Sequence, residues 1–524
     1  MKLAVMEQKG HIIWIDDEID HLKPHILFLE AKGYKITTAT NGSDANILNQ
    51  ENRFDIALLD QNMPGIDGME TLKKIKSHRQ TIPVIMITKS EDEWLMDEAI
   101  SQQINQFLIK PVSPNQIYMA CKQILEKSKI IEDKTTSEYL QDFQRINQDI
   151  NIIESLDEWW QLFLSLVNWQ IKFDKQVDSS LNNILIDQTN ECNKQFSKYV
   201  EDNYETLVKD NKSSILSPSV FKNHAQPSLD NGKKVCFIVI DCMRCDRFLS
   251  IYPYLESLFQ VEMSYHVSLL PSATSFSRNA IFSGLFPDEM IKKYPQQKDS
   301  FLNNENGLNK YEEKYLNDQI RRLGNDNKKV HYHKIWALEE GKRFSKKINN
   351  YLEKDVIALV VNFVDMLAHD SSKMDVLKEL IPDESGYRKT VRSWVENSWF
   401  NDVLKVLSQS NFDVIITSDH GSIKVNKEIM VSADKDASDG VRYKYGRNLN
   451  SKNKNVMKIN NPENFKLPTF GPQFNYLLAK NNSYFLYPNQ ANKYKNKLQN
   501  SFQHGGISME EMLIPVLKMK GVSK

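Results

Sequence analysis

LLPSATSFSRNAIFSGLFP, Leu269 to Pro287, is the stretch that decides how this chain is read. An apolar pair runs into a proline and a set of small hydroxyl residues, and Asn279 to Phe286 is then mostly apolar. Ser275 to Ser277 are residue types that cap helices, so the pattern predicts a helix opening at Thr274. Backbone N–H groups converge at such a start, and the positive end of the helix dipole favours an anion there. A hydroxyl in that place is a nucleophile once its proton is removed. No histidine adjoins it in sequence, which points to a metal as the activator. Alone, a Ser/Thr cluster is an ordinary helix cap. Three later stretches with metal-ligand chemistry decide otherwise.

Working outward, three strand-like apolar runs each end in a carboxylate: VCFIVI at Asp241, VIALVVNFV at Asp365 and VIITS at Asp419. Ligands collect beyond the carboxyl ends of strands in open α/β sheets. His369 follows Asp365 by four residues, a spacing that lets both face one ion. His420 follows Asp419 directly, and His504 stands in QHGGISMEEM beside two glycines that let backbone approach a crowded site. Three Asp, three His and one Thr are thus gathered in a chain with eleven His, too large a share to be incidental. Oxygen and imidazole ligands suit zinc or manganese, and seven can hold two ions about 4 Å apart.

In that order these residues resemble the alkaline phosphatase superfamily, and in particular its PglZ branch, over roughly residues 230 to 524. The resemblance implies one metal on Asp365, His369 and His504, and another on Asp241, Asp419 and His420, with Thr274 as nucleophile and metal ligand. The sulfatases of the superfamily carry Cys-x-Pro-x-Arg at the nucleophile. Here Arg278 keeps the offset but no Cys is present, which favours phosphoryl transfer. Ser277 and the amides after Thr274 are expected to hold developing charge. Arg278 is the one candidate clamp for a terminal dianion, so diesters are expected to be preferred over monoesters.

At 524 residues the chain is long enough for two to four domains. A formal net charge of −1 provides no global field to recruit nucleic acid or membrane. Five Cys without a regular array argue against a disulfide framework and for a reducing compartment. No apolar run approaches the ~20 residues of a membrane span, and MKLAVMEQKGH has no secretory h-region. A cytoplasmic protein is expected.

Residues 10 to 127 alternate strand and helix, which predicts a doubly wound parallel sheet. HIIWI runs into Asp16, Asp17 and Glu18; FDIALLD ends at Asp60; PVIMITKS carries Thr88; NQFLIKP carries Lys110. DEWLMDEAISQQ reads as a further helix. Carboxylates at two strand ends, a hydroxyl and a lysine converge on one face and suit a hard cation with a phosphoryl group. The stretch resembles the receiver domain of bacterial response regulators. That implies Asp60 as phosphoacceptor, and Mg²⁺ on Asp17, Asp60 and the Asn62 carbonyl, supported by Asp16. Thr88 and Lys110 would contact the phosphoryl group, and Phe107 holds the aromatic switch position.

Residues 128 to 225 show helical spacing with almost no Gly or Pro, and read as a helical bundle. Trp159, Trp160 and Trp169 follow one helix face and read as core. No basic recognition helix is present, against a DNA-binding output. Residues 226 to 524 then form the α/β output domain. In it, Cys242 and Cys245 read as packing near Asp241. Helices within 288–355 and 370–410 interrupt the strand pattern and are expected to cap the site. Val441 to Asn460 holds six Lys/Arg and no acid, so it is either a solvated loop or a basic lip on which Tyr443 and Tyr445 stack bases.

The whole arrangement resembles response regulators associated with type IX secretion. It implies a phosphorylation-regulated phosphodiesterase acting on nucleotides or oligonucleotides. The partners implied are a sensor histidine kinase, a second copy of the chain, and a sigma factor with secretion-system components. The alternative is a non-enzymatic adaptor in which zinc holds the fold; it would not need an intact Thr274.

Overall fold

The computed structural model describes residues 9–79, 81–89, 104–125, 127–174, 179–209, 215–297, 309–370, 381, 383–432, 437–487 and 491–522, with backbone alone at 127–134, 179–180, 368–370 and 491–494. It divides into two compact units, Met1–Gln141 and Asp142–Lys524.

The first unit is built on β1 (Gly10–Ile15), β2 (Tyr34–Ala39), β3 (Ile56–Asp60), β4 (Val84–Thr88) and β5 (Gln106–Ile109), all parallel, in the order β2-β1-β3-β4-β5. Ile13, Ile15, Ala57 and Leu59 pack on one face of the sheet, and Ile12, Trp14, Ile56 and Leu58 on the other. Burial on both faces is why these strands read as continuous apolar runs. The helices α1 (Lys23–Ala31), α2 (Gly42–Glu51), α3 (Gly68–His78) and α4 (Pro114–Leu125) cover them. Strand order reverses between β1 and β3, so a crevice opens at their carboxyl ends. The helix expected at DEWLMDEAISQQ, residues 92–103, lies outside the described residues.

In the second unit β6 (Lys234–Ile240), β7 (Phe259–Val267), β8 (Val330–Ile335), β9 (Val356–Val361) and β10 (Phe412–Thr417) join a last strand in one six-stranded sheet. Seven short strands lie between: β11 (Ile423–Lys424), β12 (Lys427–Met430), β13 (Tyr443–Arg447), β14 (Val456–Ile459), β15 (Phe474–Ala479), β16 (Ser483–Leu486) and β17 (Phe502–Gln503). The last is β18 (Leu513–Gly521), and the order is β7-β18-β10-β6-β9-β8. From β10 to β8 the strands are parallel; β18 runs antiparallel to both its neighbours.

One expectation fails here, and one open alternative is narrowed. Residues 288–355 and 370–410 do not cap the site where they are described. VHYHKI is the edge strand β8, and the helices carry apolar stripes onto the sheet: Leu316 and Ile320 on one face, Phe344, Ile348, Val391, Val395 and Leu407 on the other. The basic run, open between a solvated loop and a basic lip, divides in two, and its tyrosines are not free to stack bases. RYKYGR is largely the buried strand β13: Arg442 is fully buried on Glu511 at 2.7 Å from both Nε and Nη2, and Tyr443, Lys444 and Tyr445 are buried. A charge run looks solvated in sequence, but Arg442 and Lys444 are buried on protein acceptors, whereas Arg447, Lys452, Lys454 and Lys458 are exposed.

Among the helices between the two sheets are α5 (Lys127–Asp149), α6 (Leu156–Phe173) and α7 (Ser179–Lys209). The helix α5 ends at Asp149, and a capping box of Ser155 and Glu158 opens α6. Trp159, Trp160 and Trp169 are buried, with Trp160 stacked on Tyr265 of β7 at 4.8 Å. The helix α7 is bonded along a polar stripe to the output unit. Asn193 donates to Glu510 and accepts from the Met509 amide; Ser197 donates to Asn481 and the Ile507 carbonyl. Glu201 pairs with Lys480, and the Tyr204 hydroxyl accepts from the Leu270 amide. The helices α6 and α7 therefore belong to the second compact unit, whose boundary after Gln141 falls within α5. No helix among the described residues is long and apolar enough to cross a membrane.

Candidate functional site

Among the described residues two groups of ligand-bearing side chains form, each at carboxyl ends of parallel strands. In the first unit, ligand atoms of Asp16, Asp17 and Asp60 lie within 4.8 Å of one another. Asp16 and Asp60 are buried and Asp17 is exposed. Lys110 Nζ sits 3.0 Å from Asp16 Oδ2 and 3.0 Å from Asp60 Oδ2. Burial pushes the Asp60 carboxyl above its usual range against the pull of Lys110. Its Oδ1 is buried without a hydrogen-bond partner, an orphaned acceptor that fits a cation. Thr88 follows Ile87, the register partner of Asp60, and is buried. Asn62 is exposed, and Phe107 is half-buried against the core. A Cβ at Gly68 would meet the Asp60 carbonyl at 2.5 Å, so glycine lets α3 start directly behind the acceptor.

In the second unit, β6 and β10 are neighbours and deliver Asp241 and Asp419–His420 side by side. Ligand atoms of these three lie within 4.8 Å of one another, and all three are buried. Thr274 is the first residue of α8 (Thr274–Ser283), with Ala273 as N-cap. Its Oγ1 is 2.9 Å from His420 Nε2 and 3.4 Å from Asp241 Oδ1. His504 stacks on His420 with ring centres 4.2 Å apart. Asp365, in the helix Phe363–Asp370, is near enough to raise the carboxyls of Asp241 and Asp419. His369 is described by its backbone alone, and its side chain lies outside the described residues. Thr274, Asp365 and His504 are partly exposed, so the group opens on their side.

The electrostatics are those of a dry acidic centre. Asp241 is pushed up to about 7, first by burial and then by Asp419 and Asp365, against the pull of Arg278. Burial likewise raises Asp419 and lowers His420. His420 Nδ1 donates to the Gly421 carbonyl at 2.9 Å, which leaves the Nε2 lone pair facing Thr274. Asp419 Oδ1 accepts from the amides of His420 and Cys242 at 3.0 and 3.3 Å, whereas its buried Oδ2 has no hydrogen-bond partner. Neutral imidazole, buried carboxylates and an orphaned oxygen fit a divalent metal.

Two expected residues are placed otherwise. The Ser277 hydroxyl pairs with Ser268 Oγ at 2.6 Å and does not face Thr274's partners. Arg278, 1 % exposed, is spent on protein: Nη1 donates to Asp241 Oδ2 (2.6 Å) and Asn362 Oδ1 (3.1 Å), and Nε to Glu312 Oε1 (2.7 Å). Glu312 and Asn362 were not legible as members of this group. Glu511 was also missed: it bonds the Gly506 amide at 2.9 Å and Arg442, and so steadies the loop carrying His504. Its sequence signal was present, an acid in QHGGISMEEM with no assigned task.

Comparison with known proteins agrees with this division. Residues 220–519 match the family described as BREX system PglZ alkaline phosphatase-like domain. Residues 12–140 match the response regulator receiver domain, and 129–208 the PorX response regulator linker domain. The transcriptional regulatory protein SrrA of Staphylococcus aureus is 31 % identical over 121 residues, 23 % of this chain and 49 % of SrrA. The chain thus spans about half the length of the curated relatives it matches. Among solved structures, chemotaxis protein CheY4 of Vibrio cholerae is 26 % identical, covering 22 % of this chain and 98 % of that one, with a TM-score of 0.22. A receiver domain protein from Clostridium thermocellum is 27 % identical over 23 % of this chain and 98 % of that one, also with a TM-score of 0.22.

Proposed function

The chain belongs to the PglZ alkaline phosphatase-like family, behind a response-regulator receiver and a PorX-type linker, and on that premise we propose that it is a phosphorylation-controlled phosphodiesterase acting on nucleotides or oligonucleotides. The observation that carries this reading is Thr274 Oγ1 at a helix start, within 2.9 Å of His420 Nε2 and 3.4 Å of Asp241 Oδ1.

Asp241, Asp419, His420 and Thr274 would hold one zinc ion, and Asp365, His369 and His504 the other. Bound there, the ions would acidify a hydroxyl and a water and neutralise non-bridging oxygens of the substrate. Thr274 Oγ1, having lost its proton, would attack phosphorus in line; one ester P–O bond breaks, that alcohol leaves with a proton, and the rest of the substrate stays esterified to Thr274 as a nucleotidyl-threonine diester, which water hydrolyses to free Thr274 and a nucleotide monoester. The start of α8 favours the anionic phosphoryl group. Arg278 stays with Asp241 and Glu312, so it offers no clamp for a terminal dianion, and diesters are preferred.

On the input side a sensor histidine kinase is the phosphodonor to Asp60, with Mg²⁺ held by Asp17, Asp60 and the Asn62 carbonyl. Thr88 and Lys110 then contact the phosphoryl group, and Phe107 relays the change. Phosphorylation drives dimerisation, and the PorX-type linker ties the output to type IX secretion, with a sigma factor and secretion components as partners. The test is full-length Thr274→Val loaded with zinc. Turnover of bis-p-nitrophenyl phosphate and short oligonucleotides should fall about 10⁴-fold or more while metal content stays nearly intact, since Asp241, Asp419 and His420 remain on that ion. Wild-type turnover in this variant would reduce Thr274 to a helix cap.

A further inference from the structure

The carboxyl edge of the sheet carries one large apolar group that the site described above does not use. β8, β9 and β6 run parallel in one register: Ile335 pairs with Val361, and Ile240 pairs with Val361. The next residue in each strand is therefore Trp336, Asn362 and Asp241. With strands about 4.8 Å apart, the Trp336 and Asp241 backbones stand about 10 Å apart. Hydrogen bonds tie this edge to the site. The Asn362 amide and Nδ2 both donate to the Ile335 carbonyl at 3.2 Å, and Asn362 Oδ1 accepts from the same Arg278 Nη1 that holds Asp241. Lys334 lies with its Nζ 5.0 Å from the centre of the Trp336 ring, and its charge reaches Asp241.

Trp336 is 54 % exposed, in a unit whose other described tryptophans are buried or half-buried. Its backbone is fixed: Glu340 Oε2 accepts from the Trp336 amide at 2.8 Å and from the Ala337 amide at 3.2 Å. A rigid backbone that presents an open indole beside an ester-cleaving centre is poorly explained by packing. Aromatic rings in such places stack bases with little regard to sequence, because every base has a π face. We propose that Trp336 is the platform on which a nucleobase of the substrate stacks while its phosphodiester lies at Thr274. This rests on the phosphodiesterase reading above and makes Trp336 a specificity residue of that site.

The experiment uses full-length, zinc-loaded protein as wild type, Trp336→Ala and Trp336→Phe. Two substrates share a leaving group: thymidine 5′-(p-nitrophenyl phosphate), which has a base, and methyl p-nitrophenyl phosphate, which has none. Binding is measured separately by calorimetry with a phosphorothioate-linked diadenosine dinucleotide. Trp336→Ala should raise KM for the thymidine ester and weaken dinucleotide binding about ten- to a hundredfold. It should leave kcat/KM for the methyl ester and the melting temperature unchanged, and Trp336→Phe should keep most of the affinity. Equal losses on both substrates, dinucleotide binding unchanged in Trp336→Ala, or no binding by wild type would each overturn the platform. If wild type hydrolyses neither ester but binds the dinucleotide through Trp336, the platform stands and the hydrolase reading falls.

Discussion

The receiver and the output unit solve the same problem, acids crowded at strand ends, in opposite ways. In the receiver Asp17 is exposed and a single lysine bridges Asp16 and Asp60. In the output unit Asp241, Asp419 and His420 are all buried, and a guanidinium anchored on Glu312 reaches into the group. A cluster open at Asp17, with one lysine as its counter-charge, suits a charge that arrives and leaves. A dry cluster with built-in counter-charge suits one that stays. Burial without pairing would cost several kcal/mol per ion, so the second group, with all its members buried, is tied more closely to the stability of its fold than the first, where Asp17 is exposed.

Metal removal should break the comparison most sharply. Chelation of purified protein should lower the melting temperature of the output unit by roughly 10 °C or more and leave the receiver transition where it was. Scanning calorimetry with and without chelator checks this; a shared shift would mean that the two sites do not differ in kind. Next in size is Arg278→Met. It leaves Asp241 and Glu312 without their arginine and should cost about 3–5 kcal/mol in metal-free protein, and less when metal is loaded. Denaturant melts in both states test it; an equal loss in both would separate Arg278 from the metal's electrostatic role.

The smallest stability effect belongs to Asp60→Asn. Burial raises the folded-state pKa of Asp60, so its contribution is present at low pH and is lost as pH rises through that value. At neutral pH the ionised group is a cost, and the variant should melt slightly higher. The same variant should fail to change mass in light scattering when treated with a phosphodonor or beryllofluoride, whereas wild type dimerises. A wild-type mass that stays monomeric with Asp60 modified would remove dimerisation from the proposed control.

What the sequence made legible were short-range signals at strand ends. Asp60 after FDIALL, Asp241 after VCFIVI and the Asp419–His420 pair each sit where an apolar run stops, and the rule for open sheets does the rest. What it hid were pairings across long separations. Arg278 meets Glu312 thirty-four residues away, and Arg442 meets Glu511 sixty-nine away, so both arginines read as available when both are committed. β8 was hidden because VHYHKI alternates polar groups on an edge strand. The stripe on α7 was hidden because Asn193 and Ser197 look like solvent-facing residues until their acceptors are placed.

That stripe has a mechanical consequence. Asn193, Ser197, Glu201 and Tyr204 fall at steps of four, four and three, one line along a helix of 31 residues, about 46 Å long. Rolling the helix by a single residue, about 100°, would pull all four from their partners together. A torque applied to α7 therefore meets a ratchet and not a spring. The loop before Thr274 and the segment after His504 are engaged as a pair or released as a pair.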